Sequence, residues 1–225
     1  MLSRRQLLGG LLASTAAGCA SSPDSTVDLF SKTITSKRPS VNDYPLSAAQ
    51  IHDLPYATLG VRIADNARAV VVLATIDGQD LQWVSADHVI FVTRGGWLVR
   101  THGLQRDLAE TRWRSRSDDP IRSFVSTGVV PQRGVYREMD LSHADDKAIA
   151  VESRFEIGKD ETIGILGRQH YTRRIDEIAN MRAWRWEVRN SFWVDAQTGR
   201  VLRSRQQYCP EMPSIELELL KPAAI

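Results

Sequence analysis

Trp184-Arg185-Trp186-Glu187-Val188-Arg189-Asn190-Ser191-Phe192-Trp193-Val194 is the stretch that sets the fold class of this chain. Trp184, Trp186, Val188, Phe192 and Val194 recur at every second position, with Arg185, Glu187, Arg189 and Ser191 between them. A period of two sends alternate side chains to opposite faces of an extended strand, whereas a helix would scatter the same residues around its axis. The stretch therefore predicts one long strand with Trp184, Trp186, Phe192 and Val194 on a core. Asn190 on the inner face and Trp193 on the outer face are its two departures. Ala196-Gln197-Thr198-Gly199 then reads as a turn, and residues 200–208 as an antiparallel return. Pro210 and Pro213 end regular structure, and the tail beyond them is expected to be less ordered.

Upstream, the same periodicity continues in shorter pieces. Residues 89–93 and 97–101 are β-branched and aromatic runs separated by Arg94-Gly95-Gly96, which reads as a β-hairpin. Residues 59–63 alternate, with Gly60 marking a bulge or a close backbone approach. Residues 70–75 form a continuous apolar run suited to a strand buried on both faces. Asp77-Gly78 is a turn signal, and 81–84 is the next strand. Further strands are expected over 135–141, 148–157 and 161–166, with a polar loop over 142–147. Residues 103–120 read as weakly helical or irregular, and Ser47 caps a short helix over 48–54 that Pro55 stops. Many short strands between turn signals predict a mainly β domain. Its antiparallel sheet would form a sandwich or a partly open barrel, with a few short helices.

The N-terminus is a targeting segment rather than part of the fold. Arg4 and Arg5 precede an uncharged apolar run over residues 7–17, too short for the roughly 20 residues of a membrane-spanning helix. The run ends in Ala16-Ala17-Gly18-Cys19, which resembles the lipobox of bacterial lipoproteins. Small residues before the cut let a peptidase reach the backbone, and the Cys19 thiol supplies the nucleophile that takes up a lipid. Residues 1–18 are thus expected to be a lipoprotein signal peptide and Cys19 the site of acylation with palmitate-like chains. Residues 19–45, rich in Ser, Thr, Asp and Pro, form a flexible tether, and 46–225 form the β domain. Ser3-Arg4-Arg5-Gln6-Leu7-Leu8 fits the twin-arginine export route and the general secretory route alike. Cys19 is followed by Ala20 rather than Asp, which in a Gram-negative host points to the outer membrane, with the domain facing the periplasm.

Composition limits the partners. Taking Arg4 and Arg5 from 29 basic residues leaves as many as the 27 acidic ones, so the mature chain is formally neutral and offers no electrostatic footprint for nucleic acid. Besides Cys19 there is only Cys209, so no disulfide forms within the domain and no cysteine metal site exists. Cys209 is expected to be buried and inert.

No catalytic motif stands out. His52, His88, His102, His143 and His170 are scattered without metal-ligand spacing. Ser142-His143-Ala144-Asp145-Asp146 gathers the residue types of a nucleophilic relay, but adjacent side chains diverge along the backbone and a polar loop is the better reading. Asp118-Asp119 and Asp145-Asp146 read as solvated turns. Glu152 and Glu156 share one face of a strand; they would serve a glycosidase only across a cleft of the correct width. Of the six tryptophans, Trp113 and Trp193 have the most polar surroundings and are the candidates for contact with a glycan or a protein partner. No cofactor or metal ligand is expected.

An ordered set of short motifs resembles the YjbF family of bacterial lipoproteins, the group 4 capsule polysaccharide lipoproteins. The set comprises Leu54-Pro55-Tyr56-Ala57, Val72-Leu73-Ala74 with Asp77-Gly78, and Trp83-Val84-Ser85-Ala86-Asp87. It continues with Val92-Thr93-Arg94-Gly95-Gly96-Trp97-Leu98-Val99-Arg100-Thr101, then Phe192-Trp193-Val194-Asp195 with Thr198-Gly199-Arg200-Val201-Leu202. Residues 103–180 match only in general character. The resemblance implies an outer-membrane lipoprotein that accompanies capsule or exopolysaccharide export, with Cys19 as the lipid-bearing residue and no catalytic residues to carry over. It implies a non-enzymatic accessory factor whose partners are the membrane, through the anchor, and the polysaccharide export proteins or the polysaccharide itself. A periplasmic lipid or lipoprotein carrier with an open barrel cavity is the alternative, and a glycan-active hydrolase the third reading.

Overall fold

The structure is a computed structural model that describes residues 44–113, 119–142 and 146–223. The signal peptide, Cys19 and nearly all of the expected tether lie outside the described residues, as do Asp118, His143 and Asp145. The first half holds α1 (Ala48–Asp53), β1 (Thr58–Ile63), β2 (Ala69–Asp77), β3 (Asp80–Val84), β4 (Ile90–Arg94) and β5 (Trp97–His102). Next come β6 (Leu108–Trp113), α2 (Pro120–Thr127), β7 (Val135–Leu141), β8 (Ile149–Ile165) and β9 (Arg168–Met181). A 3₁₀ turn (Arg182–Trp184) leads to β10 (Trp186–Asp195), β11 (Val201–Gln206) and β12 (Ile215–Lys221).

Among the described residues, the twelve strands form one antiparallel sheet in the order β5-β4-β3-β2-β1-β12-β11-β10-β9-β8-β7-β6. Its two edge strands approach each other without a ladder. The Thr101 hydroxyl of β5 accepts the Leu108 N–H of β6 at 2.9 Å and donates to Asp107 Oδ1 at 3.0 Å. Asp107 also accepts the N–H groups of Gly103 and Leu104, so one carboxylate holds the seam of a nearly closed barrel.

The barrel is flattened enough for opposite walls to touch. Trp97 of β5 stands 4.5 Å from Phe192 of β10 and 6.2 Å from Phe155 of β8, ring centre to ring centre. The Gln206 side chain of β11 accepts the Leu98 N–H at 3.0 Å and donates to the Gly96 carbonyl at 2.9 Å. This approach is why the β4–β5 hairpin needs glycine at its tip: Gly96 has φ +92°, and a Cβ there would lie 2.5 Å from Val201.

On the outer face, Ile51 of α1 and Leu46 just before it pack onto Val70, with Leu166 and Leu220 beside them. Ser47 caps α1 as expected, its side chain accepting the Gln50 N–H while Gln50 returns the bond. The β8–β9 hairpin outruns the barrel and folds its tip back over β11 and β12, burying Ile163 and Ile165 against Leu202 and Trp193. Tyr44 lies over Gly60, where any Cβ would collide with its ring at 2.3–2.6 Å; this is the close approach the sequence reading allows for. Beneath Tyr44, Glu218 accepts from the Tyr44 hydroxyl and from Arg68 and Arg203. Burial and the neighbouring Glu218 carboxylate push the Tyr44 phenol well above its ordinary range.

Several expectations are corrected. The tail after Pro213 is β12, wedged between β1 and β11: Ile215 and Leu217 face inward, while Glu216 and Glu218 pair with arginines outside. Trp184 is not part of the long strand. It sits in the 3₁₀ turn, and Arg185 at φ +51° redirects the chain so that the strand begins at Trp186. Trp184 nevertheless packs on the core. The run 70–75 is not buried on both faces, for only Val70 and Val71 are buried and Ala74 and Thr75 are exposed. Residues 108–113, read as weakly helical or irregular, form β6. The strands expected over 148–157 and 161–166 are one strand of 17 residues with a bulge between Ile157 and Asp160. β9 and α2 were not expected at all.

Candidate functional site

The interior has two contrasting regions. Along β7 to β10, the inward positions Arg137, Ser153, Glu177 and Asn190 carry polar groups into the core. Glu177 is fully buried and accepts from Arg137, from the Ser153 hydroxyl at 2.5 Å and from Asn190 Nδ2 at 2.7 Å. Arg137 also donates to Ser153 Oγ at 3.0 Å, and its guanidinium lies 5.1 Å from the centre of the Trp97 ring. Asn190 Oδ1 accepts the Gln207 N–H at 2.8 Å. A buried ion pair persists only when its remaining hydrogen-bonding positions are filled in this way. The arrangement is closed to solvent and reads as part of the fold.

The second region is a cavity of about 450 Å³ under α2. Its walls are Leu59 of β1, Leu81 and Trp83 of β3 and Leu217 of β12; α2 closes part of the mouth with Ile121 and Val125. α2 stands there because Asp119 caps its first turn, accepting the N–H groups of Ile121 and Arg122 at 3.0 and 3.2 Å. Pro120 starts the helix, and Gly128 ends it in the left-handed conformation at φ +73°. Asp119 also accepts the Trp97 indole N–H at 3.1 Å, so the helix is tied to the barrel floor. Arg94 forms a two-point pair with Asp80 at the rim, at 2.5 and 2.9 Å.

The residues singled out from sequence are not brought together. Trp113 and Trp193 stand on opposite faces of the sheet. Trp113 is half-buried, 5.6 Å from Trp97 in an edge-to-face arrangement, with Arg94 6.0 Å above its ring. Trp193 is half-buried under the folded-back hairpin and donates its indole N–H to Glu161 at 2.9 Å. Glu152 and Glu156 lie on the outer face of β8, bound to Arg182 at 2.9 Å and Arg189 at 3.2 Å, and no cleft separates them. Asp119 is the cap of α2, and Asp146 pairs with Arg106. Ser142 accepts the Asp107 N–H at 3.3 Å. Among the described residues no group of three or more His, Cys, Asp or Glu side chains is placed to hold a metal ion. Cys209 is buried, and burial pushes its thiol up to about 11. No helix among the described residues is long and apolar enough to cross a membrane.

The sequence reading misses the cavity because α2, which helps to close it, was not foreseen. Asp119-Pro120 followed by Gly128 was the available signal, since an Asp cap, a Pro at the first helical position and a Gly just past the end bracket a short helix.

Fold and interior together define a small antiparallel barrel with a buried charged cluster midway along β7 to β10 and a cavity under α2. The family model described as group 4 capsule polysaccharide lipoprotein gfcB, YjbF matches residues 28–220, and the chain belongs to this family. It is 29% identical over 222 residues to a protein named uncharacterized lipoprotein GfcB from Escherichia coli (strain K12), covering 97% of this chain and 99% of that one. A second protein of that organism, named uncharacterized lipoprotein YjbF, is 24% identical over 179 residues, covering 79% of this chain and 81% of the relative. Among solved structures, the crystal structure of the hypothetical lipoprotein YmcC from Escherichia coli (K12) superposes with a TM-score of 0.71 at 28% identity. That match covers 91% of this chain and all of the other.

Proposed function

We propose that this chain is an outer-membrane lipoprotein, anchored through Cys19, that acts as a non-enzymatic accessory factor in capsule or exopolysaccharide export or assembly. The observation that carries the reading is the family match over residues 28–220, for the family is one of capsule polysaccharide lipoproteins. The lipobox-like Ala16-Ala17-Gly18-Cys19 adds the anchor, and its Ala20 favours the outer membrane. Trp113 and Trp193 enter as the contacts for the polysaccharide or an export protein, each being half-buried rather than sealed in the core. Deleting the gene should lower surface polysaccharide while its synthesis inside the cell continues. The wild-type gene should restore export, and Cys19→Ser should not. Export unchanged by the deletion would contradict the proposal.

The carrier reading has one observation in its favour, the apolar cavity under α2. An accessory protein and a carrier differ in whether cargo leaves with the protein, and export that continues at normal rate without the gene's product fits neither.

A further inference from the structure

We infer that the cavity under α2 binds the alkyl chain of an anionic amphiphile, with Arg122 and Arg200 receiving the charged head at the mouth. The inference goes beyond the accessory role, and its test is separate: occupancy of the cavity is read by labelling, and export by complementation. Three observations carry it. First, the cavity is of ligand size: about 450 Å³ falls in the lower part of the roughly 300–1,000 Å³ typical of small-molecule sites. Such a volume suits one alkyl chain rather than a two-chain lipid.

Second, the buried polar side chains along its wall are already engaged within the protein, and Gln79 is exposed at the rim. The Trp83 indole N–H donates to the Thr93 hydroxyl at 2.8 Å, and Ser204 Oγ accepts from Gln206 at 2.8 Å. The Asp119 carboxylate serves the α2 cap and Trp97. A sugar entering such a space would lose hydrogen bonds to water and gain few in return, whereas a methylene chain loses none and buries apolar surface.

Third, the mouth carries a net positive charge: four arginines line the cavity against the Asp119 carboxylate and the Asp80 and Glu218 partners. Arg94 and Arg203, both at the cavity, are matched by Asp80 and Glu218. Arg122 and Arg200 line the same opening, are exposed, and have no acidic partner among the described residues. Two unmatched guanidinium groups beside an apolar opening favour a carboxylate or phosphate head, which each can hold through two parallel hydrogen bonds.

The test uses the full-length lipidated protein in lipid nanodiscs, exposed to a diazirine-bearing palmitate and, separately, to the matching diazirine-bearing hexadecanol. After irradiation, the adducts are mapped by peptide mass spectrometry. Palmitate adducts are expected on the peptides that carry Leu81 and Leu217. They should be lost in Leu217→Trp and in Leu219→Trp, which fill the hollow from two heights. Both variants are checked by thermal melting, so that a fold defect in one leaves the other to decide. The double variant Arg122→Glu/Arg200→Glu should lower palmitate labelling severalfold and leave hexadecanol labelling unchanged. Absence of wall adducts, or wall adducts that persist in both filled variants, would overturn the cavity assignment. Equal labelling of wild type and the double variant by palmitate would overturn the role given to the two arginines.

Discussion

One barrel contains two kinds of interior. Between β7 and β10, charge is buried and every partner is supplied: Glu177 has Arg137, Ser153 and Asn190, and Asn190 has the Gln207 backbone. Under α2 a largely apolar wall encloses a cavity of about 450 Å³. Folding alone favours filling space, because protein interiors pack as densely as organic crystals and a void forfeits contacts on one side. A chain that satisfies a buried ion pair in one region and leaves about 450 Å³ open in another is closed by its fold in the first and open to a ligand in the second.

The comparison breaks most easily at Glu177. Glu177→Ala leaves the Arg137 charge buried without its partner and should cost about 3–5 kcal/mol, read as a lower urea midpoint at unchanged slope. Arg137→Met/Glu177→Gln removes both charges, keeps donors and acceptors for Ser153 and Asn190, and should recover most of that loss. A double variant as unstable as Glu177→Ala would show that the pair itself, rather than its completeness, holds this region together.

Overpacking sharpens the contrast. Gly60→Ala drives a Cβ into the Tyr44 ring and lifts it from Glu218, at a cost of about 1–3 kcal/mol. Leu217→Trp adds far more volume, but into the hollow, and its melting temperature should stay near that of the wild type. A large loss in Leu217→Trp and in Leu219→Trp alike would mean that the cavity is closed in solution.

A smaller effect concerns acid. The Arg112 guanidinium and the Ala148 N–H hold Asp140 down to about 2, against an ordinary 3.8. A carboxyl whose pKa is lower in the folded chain stabilises it above the unfolded pKa and loses that contribution as pH falls. The Asp140 share of stability should therefore vanish between about pH 3.8 and 2. Asp140→Asn should flatten the stability profile in that window and leave the profile above it parallel to the wild type. The smallest change is chemical: Cys209, buried and with its thiol pushed up to about 11, should resist alkylation at pH 8 until the chain unfolds.

The two regions also differed in how far sequence revealed them. The hairpin of β4 and β5, the turn after Asp77, the Ser47 cap and the inward face of β10 follow from period-two patterning and turn chemistry. β9 did not, because its inner face carries Glu177 where an apolar residue would complete the alternation, so the ion pair that fixes the core hides the strand that bears it. β12 is legible in the alternation Ile215-Glu216-Leu217-Glu218-Leu219, but Pro210 and Pro213 just before it carry the opposite local signal. The barrel itself, its Thr101–Asp107 seam and the hollow arise from pairings far apart in the chain, which no local pattern encodes. Lipidation at Cys19 was read from the lipobox alone and lies outside the described residues.

The most direct measurement is restoration of surface polysaccharide in a strain lacking the gene. The strain would carry either the wild-type gene or Leu217→Trp, with both proteins shown to be folded and membrane-bound. If the cavity is the working part of this lipoprotein, the wild type restores export and Leu217→Trp does not. Equal restoration by the filled barrel would contradict the account.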